Sequence, residues 1–102
     1  MTVEEGYQLW QSGVFVLDVR TTSEYEAGHL PGAYNINVSE LQGRLDEIDE
    51  HKNDTILVNC KSGGRSATAS QLLAGAGFTK IKNMLGGFLA WEDEGYPVEY
   101  GS

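Results

Sequence analysis

The chain is short of several things, and each shortage narrows what it can be. It has one cysteine, Cys60, in 102 residues. That excludes an internal disulfide and any zinc site built from several cysteines, and it fits a reducing compartment, in the simplest case the cytoplasm. No apolar run approaches the length of a membrane span, and the first ten residues, MTVEEGYQLW, carry acids where an export signal would carry bases. Linkers, low-complexity tracts and internal repeats are lacking, so residues 1–102 read as one domain. Bases are scarce: seven Lys and Arg against fifteen Asp and Glu, for a net charge of −8. An acidic whole argues against nucleic acid as a partner. The acids are themselves absent from one long stretch. Between Thr55 and Trp91 there is none, only Lys61, Arg65, Lys80 and Lys82. The single cysteine sits in this basic island, a setting that favours a thiolate or a small docked anion.

What is present is enough for a folded core. A chain of this length buries roughly two-thirds of its unfolded surface. Thr2 and Glu5 form a capping-box pattern for a first helix that Gly13 stops. Val14 to Val19 is a continuous apolar run, the pattern of a strand covered on both faces. The stretch TTSEYEAG reads as a short helix capped by Thr22 or Ser23 and closed by Gly28. Pro31-Gly32 marks a turn before a short strand in AYNINV, and Ser39 is the expected cap of a helix through about Ile48. Thr55 to Asn59 is a second buried strand, a helix is expected to start at Ser66 and end at Gly77, and Lys80 to Lys82 is a last short strand. A final helix lies in GGFLAWEDEG. Strands alternating with helices predict an α/β domain with a mainly parallel sheet and helices on both faces. In such sheets sites form where strands lead into helices.

Cys60 stands at such a junction, in Asn59-Cys60-Lys61-Ser62-Gly63-Gly64-Arg65-Ser66. Gly63 and Gly64 permit a tight curl that points N–H groups inward, and the helix behind adds its positive dipole end. Both favour the thiolate. Arg65 offers a planar charged fork at the rim, with Lys61 a more flexible second cation. An ionised thiolate there needs no general base. A free cysteine at a strand end is also an ordinary buried apolar residue; the glycines, arginine and basic island argue for chemistry instead.

This loop resembles the six-residue active-site loop of the rhodanese family of sulfurtransferase domains, small single-domain type. Asp18-Val19-Arg20, Glu24-Tyr25 and Gly28-His29-Leu30-Pro31-Gly32-Ala33 are similar to its N-terminal signature. Gly77-Phe78, Ile81, Met84, Gly86-Gly87 and Trp91 are similar to its C-terminal pattern. The resemblance implies a three-layer domain with a central five-stranded, mainly parallel sheet. It implies that Cys60 takes a sulfane sulfur from a small anionic donor such as thiosulfate, forms a persulfide, and passes the sulfur to a thiol, cyanide or an acceptor protein, with no metal or organic cofactor. Lys61, Ser62, Gly63, Gly64, Arg65 and Ser66 would then form the substrate cradle.

The remaining motif residues read as structural. His29 is expected in a fixed hydrogen bond, Asp18, Arg20 and Glu24 in an ion network, and His51 in solvent. Trp10, Trp91 and Phe88 are expected in the core, with Phe88 or Leu89 able to line the pocket, and Gly86-Gly87 to let the chain pass close to the loop. Two rivals remain. Cysteine-dependent phosphatases and arsenate reductases use a similar cradle, but with five residues between Cys and Arg, where this chain has four. A tighter loop suits a sulfur atom better than a whole phosphate. A non-catalytic interaction module is the second rival, and the presence of Cys60 weighs against it.

Overall fold

A computed structural model describes residues 1–101. Helix α1 (Val3–Gln11) opens on the expected box: Thr2 Oγ1 accepts from the Glu5 N–H, and the Glu5 carboxylate accepts from the Thr2 N–H. Next come β1 (Phe15–Asp18), α2 (Thr22–Ala27), β2 (Tyr34–Asn35), a 3-10 segment (Leu41–His51), β3 (Thr55–Asn59), α3 (Gly64–Gly75), β4 (Lys80–Asn83) and α4 (Gly87–Asp93). All strand pairs are parallel, in the order β2-β1-β3-β4.

Among the described residues the sheet therefore has four strands, not the expected five. The place beside β4 is reached by Met1, whose amino group donates to the Asn83 carbonyl at 3.1 Å and whose carbonyl accepts from the Leu85 N–H at 2.9 Å. At Thr2 the backbone turns into α1, so this contact never becomes a strand.

Successive strand residues point to opposite faces, and the core divides accordingly. Leu17, Val19, Ile56, Val58 and Cys60 pack with Ala69 and Leu73 of α3 and with Leu41 and Ile48. Val16 and Leu57 pack on the other face with Val3 of α1, Met84, and Phe88 and Trp91 of α4. The indole N–H groups of Trp10 and Trp91 donate to the Pro31 and Pro97 carbonyls, so both aromatic residues keep their polar edge satisfied. No helix is long and apolar enough to cross a membrane among the described residues.

Local signals misplace three helix starts. The cap of α2 is Thr21, not Thr22 or Ser23, because Glu24 stands three residues beyond it and closes a second capping box. Ser39 caps nothing: its N–H donates to the Asn37 side chain in a local turn, and the following segment is 3-10, interrupted at Arg44, whose guanidinium ties Glu40 to Glu47. Ser66 does not begin α3 but lies in its first turn, which starts at Gly64 behind a left-handed Gly63. His51 is also not simply solvated. Its ring stacks on Phe15 at 3.9 Å between centroids and meets Asp54 at 3.2 Å.

Candidate active site

The site is assembled from three segments that meet at the carboxyl end of the sheet. Asp18 of β1 and Asn59 of β3 are register partners, so Cys60, one residue on, and Arg20, two residues on, leave the sheet at the same end. Beyond Cys60 the chain curls through Gly63 at φ 119°, a conformation that side-chain-bearing residues rarely take. That curl brings the Gly63 N–H to 3.0 Å from Cys60 Sγ. Ser66, one turn into α3, sets its hydroxyl 3.5 Å from the same sulfur while donating to the Gly63 carbonyl at 3.0 Å. Cys60 is 1% exposed.

Burial pushes the Cys60 thiol up, and it is the largest single influence. The Ser66 hydroxyl and the N–H groups of Ser66, Gly63 and Ser62 together outweigh it, so the thiol ionises more readily than an ordinary cysteine. The arrangement can thus hold a negative sulfur in a nearly dry setting.

The loop is fixed from the other side by α4. The N–H groups of Phe88 and Leu89 donate to the carbonyls of Cys60 at 2.8 Å and Lys61 at 3.1 Å. Only glycine fits where these chains cross: a Cβ on Gly87 would overlap the Cys60 carbonyl oxygen and stand 2.8 Å from the Lys61 carbonyl carbon. Gly87 also has a positive φ of 56°. The expected close passage of Gly86-Gly87 against the loop is met.

The cationic residues divide. Lys61 and Ser62 are exposed on the loop. Arg65, expected as an open fork at the rim, instead grips Glu24 with both terminal nitrogens, at 2.6 and 2.9 Å. This guanidinium and the Thr21 cap hold the Glu24 carboxyl down at about 2. Glu24 therefore joins α2 to α3 rather than the expected network with Asp18 and Arg20. Those two form a separate buried pair, with hydrogen bonds of 2.6 to 3.1 Å between them and one from Arg20 Nη2 to the Gly28 carbonyl at 2.7 Å. The Arg20 guanidinium lies over the Phe88 ring, 4.5 Å from its centroid. His29 is buried, with Nδ1 donating to the Tyr25 carbonyl at 2.6 Å and Nε2 facing Glu99 at 3.2 Å, the structural setting expected of it. The Glu24–Arg65 pair spans 41 residues, and no local spacing points to it.

Beside the loop a cleft of about 270 Å³ opens between Arg20, Gly28, Lys61, Phe88, Leu89 and Glu92. Phe88 and Leu89 both line it, as the sequence allowed.

A parallel sheet whose central strand delivers a cysteine into a curl of N–H groups at a helix start defines a class: α/β domains that hold a reactive sulfur at the strand ends. The chain belongs to the rhodanese family within that class, since the family model described as "Rhodanese-like domain" matches residues 2–94. It is 39% identical to thiosulfate sulfurtransferase 18 of Arabidopsis thaliana, over 94% of this chain and 79% of that protein. It is 36% identical to the chloroplastic thiosulfate sulfurtransferase 16 of the same plant, over 97% of this chain and 91% of that one. A rhodanese-related protein from Thermoplasma volcanium shares the fold with a TM-score of 0.87 and 31% identity, covering 97% of this chain and 95% of its own.

Proposed function

We propose that this chain is a sulfurtransferase that moves a sulfane sulfur from a thiosulfate-like donor to a thiophilic acceptor through a persulfide on Cys60. The observation that carries this is the sulfur in its cradle: buried, with the Gly63 N–H donating to it and the Ser66 hydroxyl 3.5 Å away, and ionising more readily than an ordinary thiol. Family membership and the named activity of the two plant relatives support the same reading.

The Cys60 thiolate attacks the outer sulfur of the donor. A new S–S bond forms, the donor's S–S bond breaks, and sulfite leaves with the electron pair. The N–H groups from Lys61 to Ser66 then stabilise the persulfide anion as they did the thiolate. Lys61, exposed on the loop, supplies positive charge that draws a dianionic donor into an acidic protein. Arg65 docks the donor from a fixed place, because Glu24 holds it while offsetting its charge. The acceptor's nucleophile takes the outer sulfur, and Cys60 keeps the electron pair of the broken bond. The redox balance closes without a cofactor, and a reducing compartment such as the cytoplasm keeps the resting thiol available.

Incubation with thiosulfate followed by cyanide is expected to yield thiocyanate, with Cys60→Ser inactive. The same protein on an aryl phosphate tests the phosphatase alternative. Absence of thiocyanate together with aryl phosphate hydrolysis would replace the sulfurtransfer reading.

A further inference from the structure

Each arginine near the sulfur already holds a carboxylate of its own. Arg20 is bound to Asp18 through Nε and Nη2. Arg65 is bound to Glu24 through Nη1 at 2.6 Å and Nη2 at 2.9 Å. Glu24 holds the Arg65 guanidinium charged, and the Cys60 thiolate adds to this at longer range, so Arg65 and the sulfur lie within electrostatic reach of each other. Glu24 is itself fixed twice. Its carboxylate grips Arg65 and also accepts from the Thr21 N–H at 3.1 Å, closing the capping box of α2. With its carboxyl held at about 2, it is fully ionised at neutral pH.

Glu24 also forms part of the wall of the cleft beside the loop. The charged side chains of that wall are Arg20 and Lys61 against Glu24 and Glu92, and they cancel. Asp18 and Arg65, the partners of Arg20 and Glu24, cancel as well. The acid-free stretch of sequence around Cys60 therefore does not become a positive surface, because a carboxylate 41 residues from Arg65 reaches into it. The rest of the wall includes carbon surface from Ala27, Phe88 and Leu89, the last of them 48% exposed. A dianion built of sulfur and oxygen finds no net attraction in such a wall and no use for its carbon. A donor with one charge and a carbon body meets neither disadvantage.

We propose that Glu24 is a specificity-determining residue for sulfur uptake: by occupying the Arg65 fork in the wall of the cleft, it weakens the docking of dianionic donors and shifts the site toward singly charged donors whose sulfane sulfur is borne on a carbon-containing group. The proposal rests on the sulfurtransferase reading and names the donor class for it. With a thiosulfonate as such a donor, the Cys60 thiolate attacks the outer sulfur. A bond forms between that sulfur and Cys60, the donor's S–S bond breaks, and a sulfinate leaves with the electron pair. The product on the protein is the same Cys60 persulfide, and neither an oxidant nor a reductant is required. Glu24 takes no part in the bond changes; it acts through Arg65 and through its own charge.

The test compares thiosulfate with methanethiosulfonate, in which a methyl group replaces one anionic oxygen. Wild type and Glu24→Gln are assayed with each donor, cyanide being the acceptor, and the readout is kcat/KM for thiosulfate divided by kcat/KM for methanethiosulfonate. The division removes any loss common to both donors, such as a loosened loop. Glutamine keeps the size of the side chain and an oxygen for the Thr21 cap, but not the charge. Glu24→Gln is expected to raise the ratio about tenfold, the worth of one unit charge beside a dianion in a partly exposed site. A second measurement needs no variant and no sulfur transfer: protection of wild-type Cys60 from iodoacetamide by sulfate and by methanesulfonate at equal ionic strength. Half-protecting concentrations within about twofold of each other are expected, despite the doubled charge of sulfate. An unchanged donor ratio in Glu24→Gln, protection about tenfold better by sulfate, or protection by neither anion overturns the role of Glu24 and leaves sulfur transfer standing. A wild-type chain that takes sulfur from neither donor overturns the sulfurtransferase reading, and the donor assignment with it.

Discussion

At the carboxyl ends of the strands a cleft of about 270 Å³ borders the cysteine loop; at the amino ends a larger one, about 570 Å³, is lined by Phe15, His51, Asp54 and Lys80 among others. Among the described residues, the larger is lined by no buried polar atom that lacks a hydrogen-bond partner. His51 is stacked on Phe15 and faces Asp54, and Lys80 is in solvent. The smaller has a buried thiol in a ring of donors and, in its wall, the buried Arg20 guanidinium paired with Asp18. Room does not distinguish the two ends. The difference is that parallel strands release their chains toward helix starts at one end only, so N–H groups converge there and not at the other.

The sharpest way to test this contrast is at the sulfur itself. Cys60→Ser is expected to reduce thiocyanate formation to background, because the carrier atom is gone. Next is the crossing that fixes the loop. Gly87→Ala forces a Cβ into the Cys60 carbonyl and strains a left-handed backbone. It is expected to cost about 1–3 kcal/mol in denaturant unfolding and about a hundredfold in sulfur uptake through misplacement of the cradle. Uptake retained within a factor of about two would show that the α4 contact does not hold the site.

Smaller effects follow for Arg65. Arg65→Ala is expected to raise KM for thiosulfate about tenfold and to affect a neutral polysulfide donor less. Equal losses on both donors would reduce Arg65 to a brace between α2 and α3. The same pair predicts a pH dependence of stability. Glu24 titrates at about 2 in the fold against an ordinary 4.5. Its contribution is therefore fully present above about pH 4.5 and is lost as pH falls toward 2. Glu24→Gln should flatten acid unfolding curves in that window. For Cys60 the shift is also downward, so sulfur uptake should reach half its maximum at a lower pH than an ordinary thiol would give. The least effect belongs to the opposite end of the sheet. His51→Ala removes a stacked ring and should cost about 1 kcal/mol of stability with unchanged thiocyanate formation. Loss of activity there would dissolve the distinction between the two ends.

Much of the carboxyl end was legible because its signals are local. The apolar runs around Leu17 and Leu57 mark strands buried on both faces, and Gly63 stands where the curl demands a left-handed residue. Gly86-Gly87 announced the close crossing because nothing larger fits against the loop carbonyls. The α2 cap was expected at Thr22 or Ser23 and lies at Thr21: three neighbouring hydroxyl residues compete for the role, and only the Thr21–Glu24 spacing closes a capping box. The strand count came from resemblance and was one too many, because the turn at Thr2 is a local event that family likeness does not fix. What local pattern cannot carry is pairing across the fold. Arg65 finds Glu24 across 41 residues, so its charge was legible and its partner was not. Arg20 was legible as half of an ion pair. That it also reaches the Gly28 carbonyl and lies over the Phe88 ring depends on where those two residues come to rest around it.

The most direct measurement is intact mass of the reduced protein after brief exposure to thiosulfate. The wild-type chain should gain the mass of one sulfur atom, lose it on addition of cyanide, and gain nothing when Cys60 is serine. An unchanged wild-type mass, or a gain that persists in Cys60→Ser, would contradict the account.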